Sequence, residues 1–191
     1  MKKGKIFVIS GPSGSGKTTL HDMLLKDKDV KRDLKVTISA TTRMPRKGEK
    51  HGRDYFFLSE KMFLYKIRTG QFLEYAKVFN NLYGTLNSQV EEIWQQGKHV
   101  LLSIDVQGCR QICQKHPDAV TIFIKTPSFK VLKERLDRRN TDDAESIALR
   151  LKIARQEIKD AKNYKYIIIN EDLQKAYLEL KSIILDQIHP T

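Results

Sequence analysis

Residues 11–18 read Gly-Pro-Ser-Gly-Ser-Gly-Lys-Thr and directly follow the apolar run 6–9. An apolar strand signal, a glycine-rich turn and a Lys-Thr pair opening a helix make up G-x-x-x-x-G-K-[ST], the phosphate-cradling P-loop. With glycine at about 7% of residues, a chain of this length meets the four specified positions by chance about once in a hundred, so the flanking strand and helix signals carry the reading. Gly11, Gly14 and Gly16 let the backbone turn tightly and bring amide N–H groups close to phosphate oxygens. The helix start that follows favours anions. Lys17 is placed to reach the β- and γ-phosphates of a nucleoside triphosphate, and the Thr18 hydroxyl to ligate Mg²⁺. Gly11, Pro12, Ser13, Gly14, Ser15, Gly16, Lys17 and Thr18 are therefore the candidate triphosphate ligands.

Beyond the loop, strand and helix patterns alternate. Strands are expected at 5–10, 35–39, 99–104, 119–125 and 166–169, with helices at 17–28, 106–115, 128–139, 143–162 and 173–188. Such alternation argues for a parallel α/β sheet in one domain. Two excursions interrupt it. Residues 39–85 read as an arginine-rich loop (41–54), an extended piece (55–58), a helix capped by Ser59 and stopped by Gly70, a strand at 72–80, and a turn at Tyr83-Gly84-Thr85. Ser88 and Glu91 then form a capping box for a helix ending near Gly97. Residues 133–162 read as a charged helical pair.

Composition narrows the class. The 191 residues are 40% hydrophobic, and no run approaches the ~18 apolar residues of a membrane span. Met1-Lys2-Lys3-Gly4 leads straight into a strand, and the apolar run is too short for a signal peptide, so a cytoplasmic protein is expected. Cys109 and Cys113 read as free thiols on one helix face. The five histidines show no metal-ligand spacing. The net charge of +12 suits either nucleic acid or a site holding several phosphates. Arginines clustered at 43, 46 and 53 and at 135, 138, 139 and 150 favour phosphate, because guanidinium forks grip it in two places. No nucleic-acid-binding signature is present.

The segment 39–55 holds the second constellation. Arg43 and Arg46 flank Pro45 and suit a single phosphate, to which Tyr55 and Tyr83 can donate. Glu74 lies in an apolar strand and Asp105 ends another. A pocketed carboxylate accepts two hydrogen bonds from the N1–H and N2–H₂ edge of guanine, an edge adenine lacks. Blander readings stand beside these: Arg43 and Arg46 paired with Glu49 and Asp54 on a solvated loop, Asp105 as a helix cap, and Glu74 as a charge guarding a sheet edge.

The P-loop, Ile-Ser-Ala-Thr-Thr-Arg through Asp-Tyr-Phe-Phe (38–57), Phe-Leu-Glu-Tyr-Ala (72–76), Tyr-Gly-Thr (83–85) and Ile-Asp-Val-Gln-Gly (104–108) occur in the order and spacing of guanylate kinases, which the chain resembles from end to end. The resemblance implies phosphoryl transfer from ATP to GMP, and to dGMP, with Mg²⁺, in purine nucleotide metabolism. It implies a three-layer α/β P-loop core with a parallel sheet (1–38, 86–132, 163–191), an inserted GMP-binding lobe (39–85) and a helical lid (133–162). Ser39, Glu74, Thr85 and Asp105 match its guanine-reading positions. Arg43, Arg46, Tyr55 and Tyr83 match those that hold the GMP phosphate, with Glu49 beside them. Arg135 and Asn170 match positions at the adenine, Arg139 and Arg150 positions at the transferring phosphates. The implied catalytic set is Lys17, Arg43, Arg135, Arg139 and Arg150. ATP and GMP are the expected partners, with neither nucleic acid nor membrane, and the oligomeric state is left open. Two positions depart from the pattern: Asn140 stands where the family has glycine, and Ser103 where many members carry an acidic residue near the metal.

Overall fold

The computed structural model describes residues 3–138 and 144–190. Their elements run β1 (Ile6–Ser10), α1 (Lys17–Lys26), α2 (Lys28–Asp33), β2 (Leu34–Val36), β3 (Ala40–Thr41), β4 (Phe56–Phe57), α3 (Glu60–Arg68), β5 (Phe72–Val78), β6 (Asn81–Leu86), α4 (Asn87–Gln95), β7 (His99–Ser103), α5 (Val106–Lys115), β8 (Val120–Lys125), α6 (Phe129–Asp137), α7 (Ala144–Asp160), β9 (Tyr166–Ile169) and α8 (Leu173–Ile188). They fall into two compact units. One comprises Leu34–Leu102 and Gln107–Ala119 with the N-terminal segment through Ile6; the other comprises Phe7–Asp33, Ser103–Val106 and the chain from Val120 onward.

In the second unit, β8 pairs in parallel with both β1 and β9. Phe7, Val8 and Ile9 are buried in unbroken succession, as are Ile122, Phe123 and Ile124. Strands without polar alternation are covered on both faces, as parallel βαβ sheets require. In the first unit, β2 and β7 pair in parallel, and a four-stranded sheet runs β4-β3-β6-β5. The antiparallel character expected for 39–85 is present in β3–β6 and β5–β6, with β3–β4 parallel. Ala40, Phe63 and Phe72 form the core beneath this sheet, with the two phenylalanine rings stacked at 4.4 Å.

Several local expectations are corrected. The helix expected at 17–28 stops at Lys26. Asp27 turns extended, and its carboxylate accepts the N–H groups of Asp29 (2.9 Å) and Val30 (3.4 Å), which caps the separate α2. The strand at 72–80 is the first half of a hairpin that turns at Phe79, with φ of 54°. Tyr83-Gly84-Thr85 therefore lies in strand β6, not in a turn. Gly84 reads as a turn signal but serves close packing: a Cβ there would stand 2.8 Å from the Glu74 carbonyl and 2.9 Å from the Phe72 ring. The Ser88–Glu91 capping box is not made; the N-cap is Leu86, two residues earlier, and Asn87 ties the helix start to Gln71 and Gly70. The caps expected from Ser59 and Ser128 do form, on the N–H groups of Met62 and Val131.

The far end of α1 is anchored to α8. Tyr177 donates its hydroxyl proton to Asp27, and Lys181 bridges Asp27 at 2.8 Å and Asp29 at 2.7 Å. Lys181 and then Tyr177, as donors, hold the Asp27 carboxyl down at about 2. A carboxyl lowered on folding contributes stability above its unfolded value and loses it as pH falls towards the folded one. Asp27→Asn keeps a capping oxygen and loses the charge. It is expected to cost about 1 kcal/mol at neutral pH, a gap that closes between about pH 4 and pH 2. Urea unfolding of both proteins across that range checks it.

Candidate active site

The phosphate loop takes its shape from contacts within its own unit. Gly16 adopts φ of 91° and hands the chain into α1, while the Ser15 N–H closes a turn on the Pro12 carbonyl at 3.1 Å. A side chain at Gly16 is excluded twice, by the left-handed backbone and by a neighbour: its Cβ would sit 2.1 Å from the Asn170 Nδ2. That same Nδ2 donates to the Ser15 carbonyl at 2.8 Å, and Arg135 Nη2 donates to the Asn170 carbonyl at 2.9 Å. Arg150 Nη1 reaches Ser13 Oγ at 3.2 Å. Ser13, Ser15, Gly16, Arg135, Arg150 and Asn170, spread over almost the whole sequence, are thus joined around one loop. The expected residue Arg139, and Asn140 beside it, lie outside the described residues.

The loop has the chemistry of an anion site. Lys17 and Thr18 open α1, and no acidic residue occupies its first turn. Ser15 Oγ is buried without a hydrogen-bond partner among the described residues, a hydroxyl left over within the cradle. Among the described residues no group of three or more His, Cys, Asp or Glu is placed to hold a metal. A divalent ion that depends on the Thr18 hydroxyl and on phosphate oxygens fits this donor set, since Mg²⁺ is commonly held through substrate phosphates rather than by a protein cage.

The charged hairpin is a packed pair of helices. Leu132, Leu136 and Ala154 form its core, with Phe129, Leu151 and Ile158 against them. A cleft of about 730 Å³ in this unit is lined by Lys125, Phe129, Lys152, Arg155 and Lys159 among others, and by none of the expected site residues. Sequence reasoning passed over Glu157. It lies on α7 seven residues after Arg150, two helical turns along one face, a spacing that was readable. Burial raises its carboxyl to about 7, with Lys17 opposing the shift and Asp105 and Asp160 adding to it.

The other unit gathers most of the acceptor-phosphate candidates. Arg43 Nη2 meets Glu49 Oε1 at 2.9 Å, with side chains 15% and 20% exposed, so the pair is not a solvated surface bridge. The guanidinium also donates to the Met44 carbonyl and stands 5.3 Å from the centre of the Tyr55 ring. Tyr55 meets Tyr83 edge-on at 6.1 Å. Glu49 holds the Arg43 guanidinium above its usual value, while Arg43 and the Arg46 N–H hold Glu49 below the ordinary carboxylate range. Burial pushes the Tyr55 phenol up. The Arg46 side chain is exposed, and its N–H donates to Glu49 Oε2 at 2.7 Å. Asp54 pairs with Arg53, not with Arg43 or Arg46.

Glu74 is 3% exposed, which excludes a solvent-facing edge charge. The β5–β6 hairpin accounts for its direction, and a β-bulge follows directly beside it. Phe72 pairs with Leu86 and Glu74 with Thr85, so Leu73 is an extra residue with no partner opposite. The bulge lies just beyond Glu74; Glu74 opposite Thr85 continues the register of the hairpin, in which Tyr75 faces Gly84 and Val78 faces Asn81. The buried Thr85 hydroxyl donates to Glu74 Oε1 at 2.7 Å. Ser39 precedes Ala40, which pairs with Gly84, so Ser39 lies beside the Thr85 position. Asp105 belongs to the phosphate-loop unit, half-buried and directly before α5.

The family model for guanylate kinase matches residues 3–187. The chain belongs to the guanylate kinase family. The guanylate kinase of Clostridioides difficile is 44% identical, covering 96% of this chain and 88% of its own length. That of Syntrophotalea carbinolica is 47% identical, covering 96% and 86%. The crystal structure of guanylate kinase from Anaplasma phagocytophilum is 33% identical and covers 100% of this chain and 89% of its own, with a TM-score of 0.79. The SH3-kinase fragment of tight junction protein 3, at 13% identity and a TM-score of 0.52 over 98% of this chain and 59% of its own, shares the fold alone.

The raised carboxyl of Glu157 implies a pH dependence of stability. A carboxyl raised on folding from 4.5 to about 7 adds stability while protonated in both states, and that contribution is lost as pH rises through this window. Glu157→Gln is expected to flatten the decline in melting temperature between about pH 4.5 and pH 7. Thermal melts of both proteins in that range test it; parallel curves would contradict it.

Proposed function

We propose that this protein transfers the γ-phosphoryl group of ATP to the phosphate of GMP, giving ADP and GDP, and accepts dGMP as well. The observation that carries the reading is the buried Glu74–Thr85 pair in a chain of this family that keeps an intact phosphate loop with Lys17. A carboxylate and a hydroxyl suit the N1–H, N2–H₂ and O6 edge of guanine, with Asp105 and Ser39 completing the set. Arg43, held by Glu49 and flanked by Tyr55 and Tyr83, binds the GMP phosphate together with Arg46. We place residues 39–85 as the acceptor lobe and residues 133–162 as the lid, on the core 1–38, 86–132 and 163–191.

An oxygen of the GMP phosphate attacks the γ-phosphorus in line, the bond to the β-phosphate oxygen breaks, and ADP leaves. No covalent enzyme intermediate is needed, so the protein's part is positioning and charge neutralisation. Lys17 and the loop amides hold the β- and γ-phosphates. Arg135 and Asn170 lie at the adenine, and Arg139 and Arg150 neutralise charge on the group in flight. Thr18 would hold Mg²⁺, which supplies neutralisation across the β- and γ-phosphates when bound. A lid closing over the loop excludes water, whose attack would hydrolyse ATP without product. The reaction belongs to purine nucleotide metabolism in the cytoplasm.

Two other readings fare less well. A non-catalytic interaction module has no use for Lys17 in a phosphate cradle. A kinase of a phosphorylated sugar has no use for the buried Glu74–Thr85 pair. ADP release with GMP, dGMP, AMP, CMP and UMP offered in turn is expected only with the two guanine nucleotides. Lys17→Ala is expected to lower GMP-dependent turnover by about a thousandfold or more. Wild-type rates in that variant, or indifference to the base, would overturn the assignment.

A further inference from the structure

Strand β5 is the outer strand of its four-stranded sheet, yet its open edge is covered by one face of α5. Gln107, Gln111 and Lys115 recur every fourth residue and so line one side of that helix. Gln107 Nε2 donates to the Lys77 carbonyl at 3.4 Å. Gln111 takes the place of a neighbouring strand: its Oε1 accepts the Tyr75 N–H at 3.2 Å and its Nε2 donates to the Tyr75 carbonyl at 2.6 Å. Lys115 donates to the carbonyl of Leu73, the residue that the bulge leaves without a partner across the sheet. The backbone is therefore gripped at positions 73 and 75, on both sides of Glu74.

We propose that Gln111 and Lys115 are positioning residues for base recognition: by clamping Leu73 and Tyr75 they fix the backbone on both sides of Glu74 and hold its carboxylate against Thr85. The assignment rests on the reading that Glu74 receives guanine. Glu74 is the last residue of the regular ladder before the bulge, where the pairing is locally disrupted. Freeing the backbone there lets the Glu74 carboxylate leave Thr85 and breaks the 2.7 Å bond. Neither Gln111 nor Lys115 is a catalytic residue, since their partners are backbone atoms of the strand.

The test uses the full-length enzyme with Gln111→Met, Lys115→Met and the double variant, which keep side-chain length and remove the polar grip. For the double variant, KM for GMP is expected to rise about tenfold while KM for ATP stays within about twofold. The preference for GMP over IMP, which lacks the N2 amine, falls with it. Hydrogen exchange at the Tyr75 amide speeds up. Gln111→Glu, which keeps the acceptor for the Tyr75 N–H but not the donor, lies between wild type and Gln111→Met. Unchanged GMP kinetics beside faster exchange would show a purely structural clamp and overturn the proposal. So would equal losses for GMP and ATP accompanied by a lower melting temperature. A wild-type enzyme unable to use GMP would overturn the functional reading and this assignment with it, whereas unaffected variants of an active wild type overturn this assignment alone.

Discussion

A carboxylate kept at 3% exposure needs hydrogen-bonding partners to offset lost hydration, and the geometry around Glu74 is organised by that demand. The β5–β6 hairpin register sets the side chain opposite Thr85, and the extra residue Leu73 follows directly beside it. The missing Cβ of Gly84 lets the Phe72 ring and the Glu74 backbone close over the pair. The stacked Phe63 and Phe72 rings lie in the core beneath. Carboxylate, hydroxyl, glycine and core are parts of one solution to burying a polar group in a small sheet.

The phosphate loop obeys a different constraint. Its glycines are required partly by backbone conformation and partly by what stands behind them. Gly11 is blocked by the Ile124 carbonyl and Gly16 by Asn170. The loop is thus moulded by β8 and by the residue after β9, while Arg135 and Arg150 bring the charged helices to it. The tie between Asp27 and α8 steadies the opposite end of the helix that the loop opens. The fold by itself decides little about chemistry. The residues in the loop and around Glu74 decide it.

Much of this was legible from residue order. The P-loop, the alternating strands and helices, the Ser59 and Ser128 caps and the Arg43–Tyr55–Tyr83 grouping all rest on local patterns that the three-dimensional contacts leave intact. What escaped is non-local. The role of Gly84 is set by a ring and a carbonyl on a neighbouring strand, so it read as a turn. The break at Asp27 follows from a carboxylate that serves both as a helix cap and as a partner of α8, contacts about 150 residues away in sequence. A one-residue bulge leaves no mark in a run such as Phe-Leu-Glu-Tyr-Ala, because its effect appears only against the register of β6. Glu157 was readable by its spacing from Arg150, but its burial depends on the packing of α7.

The central claim is that the Glu74 carboxylate, held opposite Thr85, selects guanine. The most direct measurement is the ratio of kcat/KM for GMP to that for AMP, in the wild type and in Glu74→Gln. The account predicts a ratio that falls about a hundredfold, almost entirely through GMP, with KM for ATP unchanged. A variant that keeps the wild-type preference for GMP would contradict it.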